Sequence, residues 1–332
     1  MVSIIEKSYT VESETWDGVF GHWQRTDGFL RWNCLFVLPV WLKTWWDSFG
    51  RSDALYLLSV GHEGRTIGIA PLQRKDNTVR LIGDENVCDH LDFIVAPEKS
   101  AKFYRILLKY LKQDGVQRLE LESVRQDSSV MTQLLPVAEK AGCQISNVAN
   151  DISYELSLPG SWDDYLTILS GKERHEIRRK LRRLYEAGQI NYRLVDDAFS
   201  VKKEMETFLE LFRSNRSDKA EFMSDRMVSF FRGLSEALNE AQILKLFFLD
   251  LDERPVAATM CFNYHSTMYL YNNGYDKRFG SLSPGLLGKV FSIKESIRSG
   301  KKTYDFLKGA EVYKRRLGGQ PIQLYRCLIE LT

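Results

Sequence analysis

The second half of the chain shows a regular succession of hydrophobic periods. Apolar residues recur at helical spacing over residues 205–212 and 227–234, and three strand patterns separated by short polar turns follow them. This succession predicts two helices and an antiparallel meander. In order, the elements predicted here are a strand at 152–158, helices at 162–169 and 173–187, a strand at 190–195, the two helices just named, strands at 243–250, 256–264 and 267–273, a helix at 284–299, a strand at 303–307, a short helix at 311–317 and a strand at 322–329.

The first half follows a degraded version of the same order. It predicts helices at 13–25 and 39–49, strands at 54–60, 66–72, 78–82 and 91–95, a helix at 100–111, a strand at 118–122, a helix at 128–141 and a strand at 144–148. We therefore predict an α/β (α+β) fold of two tandem units, residues 1–150 and 151–332, each with a mixed, largely antiparallel sheet flanked by helices. The last strand of the chain, at 322–329, can pack either on the second unit or on the first.

One turn in this order has the features of a ligand site. Ser283, Pro284 and Gly285 supply an N-cap residue, a proline suited to the first helical position and a glycine, directly after the third meander strand. The unpaired N–H groups and the dipole of such a helix start attract phosphate, and Gly285 with Gly288 would let a ligand approach the backbone. The alternative is an ordinary capped helix packed on a sheet.

Composition narrows the class of protein without defining its chemistry. The 332 residues carry a formal net charge of only +2, which argues against a strongly basic surface for DNA. Five cysteines form no CxxC pair and five histidines are scattered, so neither a disulfide framework nor a metal site is expected. Neither a signal peptide nor a membrane-spanning run is recognised in the sequence, so we expect a cytoplasmic protein.

Six segments, in the same order along the chain, resemble segments of a known family. They are WLKTWWDSFG at 41–50, GIAPL at 68–72, SGKERHEIRRK at 170–180, YNNGYD at 271–276, SPG at 283–285 and DFLKGAEVYK at 305–314. The chain resembles the bacterial GNAT-like acetyltransferases associated with cellulose and exopolysaccharide biosynthesis. That family is similar in its paired domains to the Fem-type peptidoglycan aminoacyltransferases.

The resemblance implies an acyl-donor site between the third meander strand and the strand that follows the glycine-containing helix. It implies a base at Asp305 or Glu311, an acid at Tyr271 or Tyr313, and an oxyanion or phosphate contact at Lys314. The donor, acetyl-CoA or another acyl-CoA, would be held by Ser283, Gly285, Gly288 and Asn273. Two alternatives stay open, because Asp305 can serve only to satisfy a backbone turn and Tyr271 can be a core residue.

A basic run and an acidic turn are candidates for binding the acceptor. The run from Lys172 to Arg183 is predicted to be helical, and Arg174 with Arg178 flank its apolar stripe, where two guanidiniums would suit phosphate or carboxylate. The alternative is a solvated charged face. In the first half, Asp89 and His90 are candidates for lining a cleft, and a simple loop is the alternative.

The leading interpretation is an acyltransferase that moves an acyl group, most simply acetyl, to an amine or hydroxyl of a sugar, nucleotide sugar or cell-envelope precursor. The acceptor is expected to be a small molecule or glycan precursor. A rival enzyme is an aminoacyltransferase that uses charged tRNA, which is less favoured because no long helical arm is present. A rival of another class is a binding protein that keeps the fold and has lost the chemistry.

Overall fold

The computed structural model describes residues 2–6, 8–25, 27–50, 52–215 and 221–331. The chain divides into two compact units. Unit 1 comprises Met1–Ile152 with Ile322–Thr332, and unit 2 comprises Ser153–Pro321. Each unit combines a mixed sheet with helices, so the predicted α/β (α+β) class is confirmed.

The strands are, in chain order, β1 Val2–Glu6, β2 Tyr9–Ser13, β3 Ala54–His62, β4 Arg65–Lys75, β5 Thr78–Leu81, β6 Ile94–Val95, β7 Arg118–Arg125, β8 Gln144–Ser157, β9 Ile190–Val195, β10 Leu244–Leu251, β11 Arg254–Tyr264, β12 Thr267–Tyr275, β13 Thr303–Lys308 and β14 Gln320–Glu330. The α-helices are α1 Trp16–Trp23, α2 Pro39–Phe49, α3 Ser100–Gln113, α4 Leu135–Lys140, α5 Trp162–Ile168, α6 Gly171–Glu186, α7 Ala198–Asn215, α8 Asp225–Glu240, α9 Pro284–Arg298 and α10 Val312–Arg316. A π-helical turn, Val130–Leu134, precedes α4.

Serine caps begin several of the helices in unit 2. The hydroxyls of Ser161, Ser170 and Ser224 accept hydrogen bonds from backbone amides three residues later and so start α5, α6 and α8. Each hydroxyl satisfies one of the amides that a helix start leaves without an intrahelical partner. The positions of these helices therefore follow from local sequence.

The sheet of unit 2 has the strand order β8-β13-β12-β11-β10-β9. Strands β9 to β12 pair antiparallel, and β10, β11 and β12 form the predicted meander. Strand β12 pairs with β13 in parallel at only three positions, from Thr267 with Thr303 to Tyr269 with Asp305. Beyond Asp305 the two strands have no paired positions, which leaves the gap that we call the wedge.

Two glycines bring helices of unit 2 close to this sheet. A Cβ atom built on Gly274 of β12 would lie 2.4 Å from the backbone nitrogen of Phe212 in α7. On the other face, a Cβ on Gly288 of α9 would lie 3.0 Å from Oγ1 of Thr259 in β11. The helices α7 and α9 therefore cover opposite faces of the meander, and Gly288 serves close packing.

Unit 1 repeats the topology of unit 2. Strands β3, β4 and β5 form an antiparallel meander, and β5 pairs with β7 in parallel at three positions, from Thr78 with Arg118 to Arg80 with Glu120. In both units the connection between the parallel strands includes a helix, α3 or α9, as a parallel crossover requires. The predicted tandem arrangement of two GNAT-like units is confirmed by this shared order.

Two boundaries differ from the sequence prediction. Residues 144–157 form one strand, β8, although two separate strands at 144–148 and 152–158 were predicted. The strand predicted at 91–95 contains only Ile94–Val95, because the backbone N–H of Leu91 donates to the carbonyl of Ser123 in β7 and not to β4. In both places a tertiary hydrogen-bonding partner decides the structure, and local composition does not reveal it.

Candidate active site

A β-bulge and the end of parallel pairing together open the wedge of unit 2. Asn272 pairs with Met260 and Leu270 with Cys261, so Tyr271 is the extra residue of a bulge in β12. Such bulges bend a strand and increase its twist. The bulge lies just beyond the three paired positions of β12 and β13, so β12 separates from β13 at the point where the donor site was predicted.

Lys289 of α9 links the elements on either side of the wedge. Its Nζ lies 2.7 Å from Oδ1 of Asn273 in β12 and 2.8 Å from the carbonyl oxygen of Gly285. The same ammonium lies 4.7 Å from the centre of the Tyr313 ring in α10. The structure thus brings together Asn273 and Tyr313, two predicted site residues, around a lysine that was not among the predicted site residues.

The helix start at Ser283 differs in detail from the predicted cap. Ser283 precedes α9, but its φ of 57° is left-handed and its side chain makes no capping hydrogen bond. Its Oγ accepts a hydrogen bond of 2.6 Å from Nζ of Lys180 in α6. Gly285 is buried, and a Cβ there would meet the Tyr275 ring at 2.4 Å, so this glycine permits packing at the helix start. A lysine therefore lies at the positive end of the α9 dipole.

The basic helix reaches this turn through a different residue from the two predicted. Arg174 is half-buried, and its Nη1 donates to the Leu166 carbonyl at 3.4 Å, whereas Arg178 is exposed. Lys180 lies three residues after the buried Ile177 and so shares its helix face. The helical phase thus directs Lys180 toward Ser283.

Three predicted catalytic residues meet at the end of β13. Oδ1 of Asp305 accepts the N–H of Leu307 at 2.7 Å, and Nζ of Lys314 donates to the carbonyls of Leu307 and Lys308 at 3.0 and 2.6 Å. Lys314 also lies 2.9 Å from Oε2 of Glu311. Leu307 has a left-handed φ of 60°, so Asp305 and Lys314 hold a strained turn from both sides.

These residues differ in how far an acceptor can reach them. Asp305 is 1% exposed and Lys314 is 2% exposed, whereas the side chain of Glu311 is 53% exposed. The ammonium of Lys314 has three oxygen partners, which match its three N–H donors. The geometry favours a structural role for Asp305 and Lys314 and leaves Glu311 the accessible carboxylate.

The structure separates Tyr271 from Asn273 and Tyr313. The Tyr271 ring stacks on Phe231 of α8, with ring centres 5.8 Å apart, and contacts Phe262 at 4.9 Å. The bulge therefore directs Tyr271 to the face covered by α7 and α8, while Asn273 contacts α9 on the other face. Of the two predicted acids, Tyr313 is the one beside Lys289.

A buried polar chain lies under α9. The hydroxyls of Ser292 and Tyr304 are 2.6 Å apart, and Ser292 Oγ donates to the Lys289 carbonyl at 2.8 Å. Burial raises the pKa of the neighbouring Cys261 thiol to about 12. Cys261 is therefore protonated at neutral pH and unsuited to act as a nucleophile.

In unit 1 the corresponding gap is crossed by the chain itself. Strands β5 and β6 both pair with β4, at successive positions along it, and residues 82–93 lie between these two strands in the chain. Leu91 in this segment donates to Ser123 of β7 at 3.1 Å, so the segment bridges the separation of β5 and β7. Ser123 has a left-handed φ of 53°, as Leu307 does in unit 2. Among the residues that the structure describes, unit 1 thus shows no open gap like the wedge of unit 2.

The predicted pair Asp89 and His90 lies in this bridging segment. His90 is buried, its ring is edge-on to Phe36 at 4.9 Å, and its Nδ1 has no partner among the described residues. Burial, assisted by the Arg125 charge, lowers the pKa of His90 to about 3. Asp89 is half-buried. The surroundings of His90 are those of a neutral core residue.

This low pKa gives unit 1 a specific acid sensitivity. Between about pH 6.5 and pH 3 the unfolded chain binds a proton at His90 that the folded chain does not, so stability decreases as pH falls. Between pH 7 and pH 4.5, the unfolding free energy of the wild type should fall by about 2.5 kcal/mol more than that of His90→Leu. Urea unfolding followed by tryptophan fluorescence measures this, because six of the seven tryptophans are in unit 1.

His175→Gln provides the matched control, since His175 is exposed on α6. Its pH profile should follow that of the wild type. Parallel pH profiles for wild type and His90→Leu would contradict the assignment of the acid sensitivity to His90.

Two further features of the described residues bear on other classes of function. Across the ranges described above, no group of three or more His, Cys, Asp or Glu side chains is arranged to hold a metal ion. In the same ranges no helix has the length and apolar character needed to span a membrane.

Residues 171–315 match the family model described as an acetyltransferase (GNAT) domain. This segment runs from α6 to α10 and contains the whole wedge of unit 2. A comparison with curated proteins finds no match. The matched segment is less than half of the chain, and its helices and strands follow the predicted GNAT-like order.

Solved structures of similar fold extend the likeness to nearly the whole chain. The crystal structure of FemX has 13% identity and a TM-score of 0.64, and covers 95% of this chain and 96% of its own. A conserved protein of unknown function from Bacteroides thetaiotaomicron has 13% identity and a TM-score of 0.59, covering 96% and 99%. The C-terminal domain of a putative lysylphosphatidylglycerol synthetase from Agrobacterium fabrum has 10% identity and a TM-score of 0.55, covering 86% and 90%. At these identities the likeness shows the fold.

Proposed function

We propose that unit 2 transfers an acyl group, most simply acetyl, from coenzyme A to an amine or hydroxyl of a sugar, nucleotide sugar or other cell-envelope precursor, such as one used for exopolysaccharide. The observation that carries this proposal is the wedge, where β12 parts from β13 beside α9. The match of residues 171–315 to an acetyltransferase domain supports the same reaction. The acceptor class rests on the sequence resemblance.

The residues around the wedge can be given distinct roles. The phosphates of the donor bind at the start of α9, where Lys180 lies 2.6 Å from Ser283, and the acyl-bearing arm enters between β12 and β13. Asn273 and Gly288 border this path on the α9 side. Lys289 faces the charge that develops during transfer.

The chemical step needs a base, a stabilised oxyanion and a protonated leaving group. The acceptor nitrogen or oxygen attacks the thioester carbon while Glu311, the exposed carboxylate of the β13–α10 turn, takes its proton. The carbon–sulfur bond then breaks, and Tyr313 gives its hydroxyl proton to the leaving thiolate. Holding both reactants in line supplies much of the acceleration.

A binding experiment with acetyl-CoA tests the donor site. Ser283→Asp adds a negative charge at the start of α9 and uses a residue type that tolerates the left-handed backbone there. We expect acetyl-CoA to bind one site per chain, because the described residues form an open wedge in unit 2 and not in unit 1. We expect Ser283→Asp to weaken this binding about tenfold. Isothermal titration calorimetry measures both quantities.

Ser161→Asp is the matched control, because it adds the same charge at a helix cap that an aspartate also satisfies. Its affinity should equal that of the wild type. Absence of acetyl-CoA binding, or equal affinity in Ser283→Asp, would refute a donor site at α9.

The reaction products distinguish the proposed acetyltransferase from the rival enzyme that uses aminoacyl-tRNA. Thiol release from acetyl-CoA supports the proposed donor, whereas transfer of a labelled amino acid from charged tRNA in the absence of thiol release supports the rival. The fold shared with FemX makes this the informative second assay. A protein that does neither belongs to the class of binding proteins.

A further inference from the structure

Unit 2 contains a second concave surface, which the acyl transfer just described does not use. A groove of about 430 Å³ lies between the α5–α6 junction and α10. Its volume is within the range of small-molecule sites. It is lined by Ile168, Leu169, Ser170, Glu173, Val312, Arg315, Arg316, Gly318 and Gln320.

One part of the groove is aliphatic. Ile168 is 49% exposed and Val312 is 50% exposed, although large aliphatic side chains are usually more buried than this. A Cβ on Gly318 would lie 3.5 Å from Leu169 and 3.8 Å from Ile168, so the backbone there lies against these side chains. The groove therefore offers branched aliphatic walls to a ligand.

The other part of the groove carries one positive charge that no acidic side chain among the described residues offsets. Arg316 Nε lies 3.7 Å from Oε1 of Glu173, so these two charges offset each other. The guanidinium of Arg315 has no ion-pair or hydrogen-bond partner in the part of the chain that the structure describes. A planar guanidinium offers a fork of N–H donors that matches a carboxylate.

We propose that this groove binds an aliphatic carboxylate, with the carboxylate on Arg315 and the hydrocarbon chain on Ile168 and Val312. A single free guanidinium matches a monoanion. A phosphate dianion would need a second cation, and Arg316 is already paired with Glu173. The aliphatic walls add affinity for each methylene group that leaves water.

This site is separate from the wedge, although both use α10. Tyr313 and Lys314 contact Lys289 and the β13 turn, whereas Val312, Arg315 and Arg316 line the groove. Binding of the carboxylate can therefore be measured without acyl transfer. Failure of one proposal leaves the other standing.

Titration calorimetry of the full chain with hexanoate, octanoate and decanoate tests the site. We expect affinity to rise about fourfold with each added methylene, and octanoate to bind more tightly than octanol. Arg315→Gln should abolish the preference for octanoate over octanol and keep the dependence on chain length. Val312→Ser should reduce the dependence on chain length and keep the preference for octanoate.

Arg298→Gln is the control, because Arg298 is exposed on α9 and paired with Glu295. It should bind octanoate as the wild type does. The proposal is overturned if none of the three carboxylates binds at millimolar concentration, if affinity does not depend on chain length, or if Arg315→Gln and Val312→Ser both bind as the wild type does.

Discussion

Replacing Lys289 by methionine is expected to lower kcat/KM for thiol release from acetyl-CoA by about 10²- to 10³-fold, the usual effect of removing a group that stabilises developing charge. Two of its N–H donors are used by Asn273 and the Gly285 carbonyl, and the ammonium also faces the Tyr313 ring. In the proposed reaction this cation faces the thioester carbonyl of the donor. Hydroxylamine can serve as the probe nucleophile in the assay.

Lys294→Met provides a matched control on the exposed side of the same helix, where the side chain lies 5.8 Å from the Trp162 ring. It should retain wild-type activity. Wild-type kcat/KM in Lys289→Met, with the chain folded, would remove Lys289 from the reaction and leave only a packing role for it.

Replacing Lys314 by methionine is expected to lower the unfolding free energy of unit 2 by about 3 kcal/mol, because it leaves buried carbonyls without a donor. The carbonyls are those of Leu307 and Lys308, and Lys314 is only 2% exposed. Methionine fills a similar volume, so the loss reflects hydrogen bonding more than a cavity. Urea unfolding by circular dichroism and hydrogen exchange of β13 measure the effect.

Lys277→Met is the comparison, since Lys277 is exposed in the same unit. It should change stability by less than about 0.5 kcal/mol. Lys314→Met could instead be as stable as Lys277→Met but inactive. In that case Lys314 would act on the substrate, as the family resemblance implies, and the assignment of a structural role to Lys314 would be wrong.

Local sequence predicted the order of elements in unit 2 well because the signals were strong. The meander has short turns, α9 begins at a proline, and serine caps begin α5 and α6. The position of the wedge was predicted from the family resemblance and not from these local signals. These features depend on neighbours in the chain, which the sequence displays directly.

The side chains that link α6, α9 and β12 near the wedge were harder to predict. Lys180 and Lys289 were not selected, because their partners Ser283 and Asn273 become neighbours only when α6, α9 and β12 are packed. Helical phase offered a partial signal, since Lys180 shares a face with the buried Ile177. The left-handed backbone of Ser283 had no local signal, because serine is not a residue typical of that conformation.

The continuous strand β8 shows the same limit in the fold. Asn150 and Asp151, which lie between the two strands predicted at 144–148 and 152–158, are residue types typical of turns. In the structure the Asp151 carbonyl accepts a hydrogen bond from the Gln323 side chain at 2.6 Å. A partner more than 170 residues away thus supports an extended backbone that propensity alone disfavours.

The last strand also determines the order in which the units can be completed during synthesis. Strand β14 pairs with β7, so unit 1 needs residues 322–331, whereas unit 2 is one continuous stretch, Ser153–Pro321. Domains usually fold as they leave the ribosome, the N-terminal one first. Here one edge of β7 in unit 1 stays unpaired until β14 has been translated. All residues of unit 2, which contains the wedge, are translated before residues 322–331.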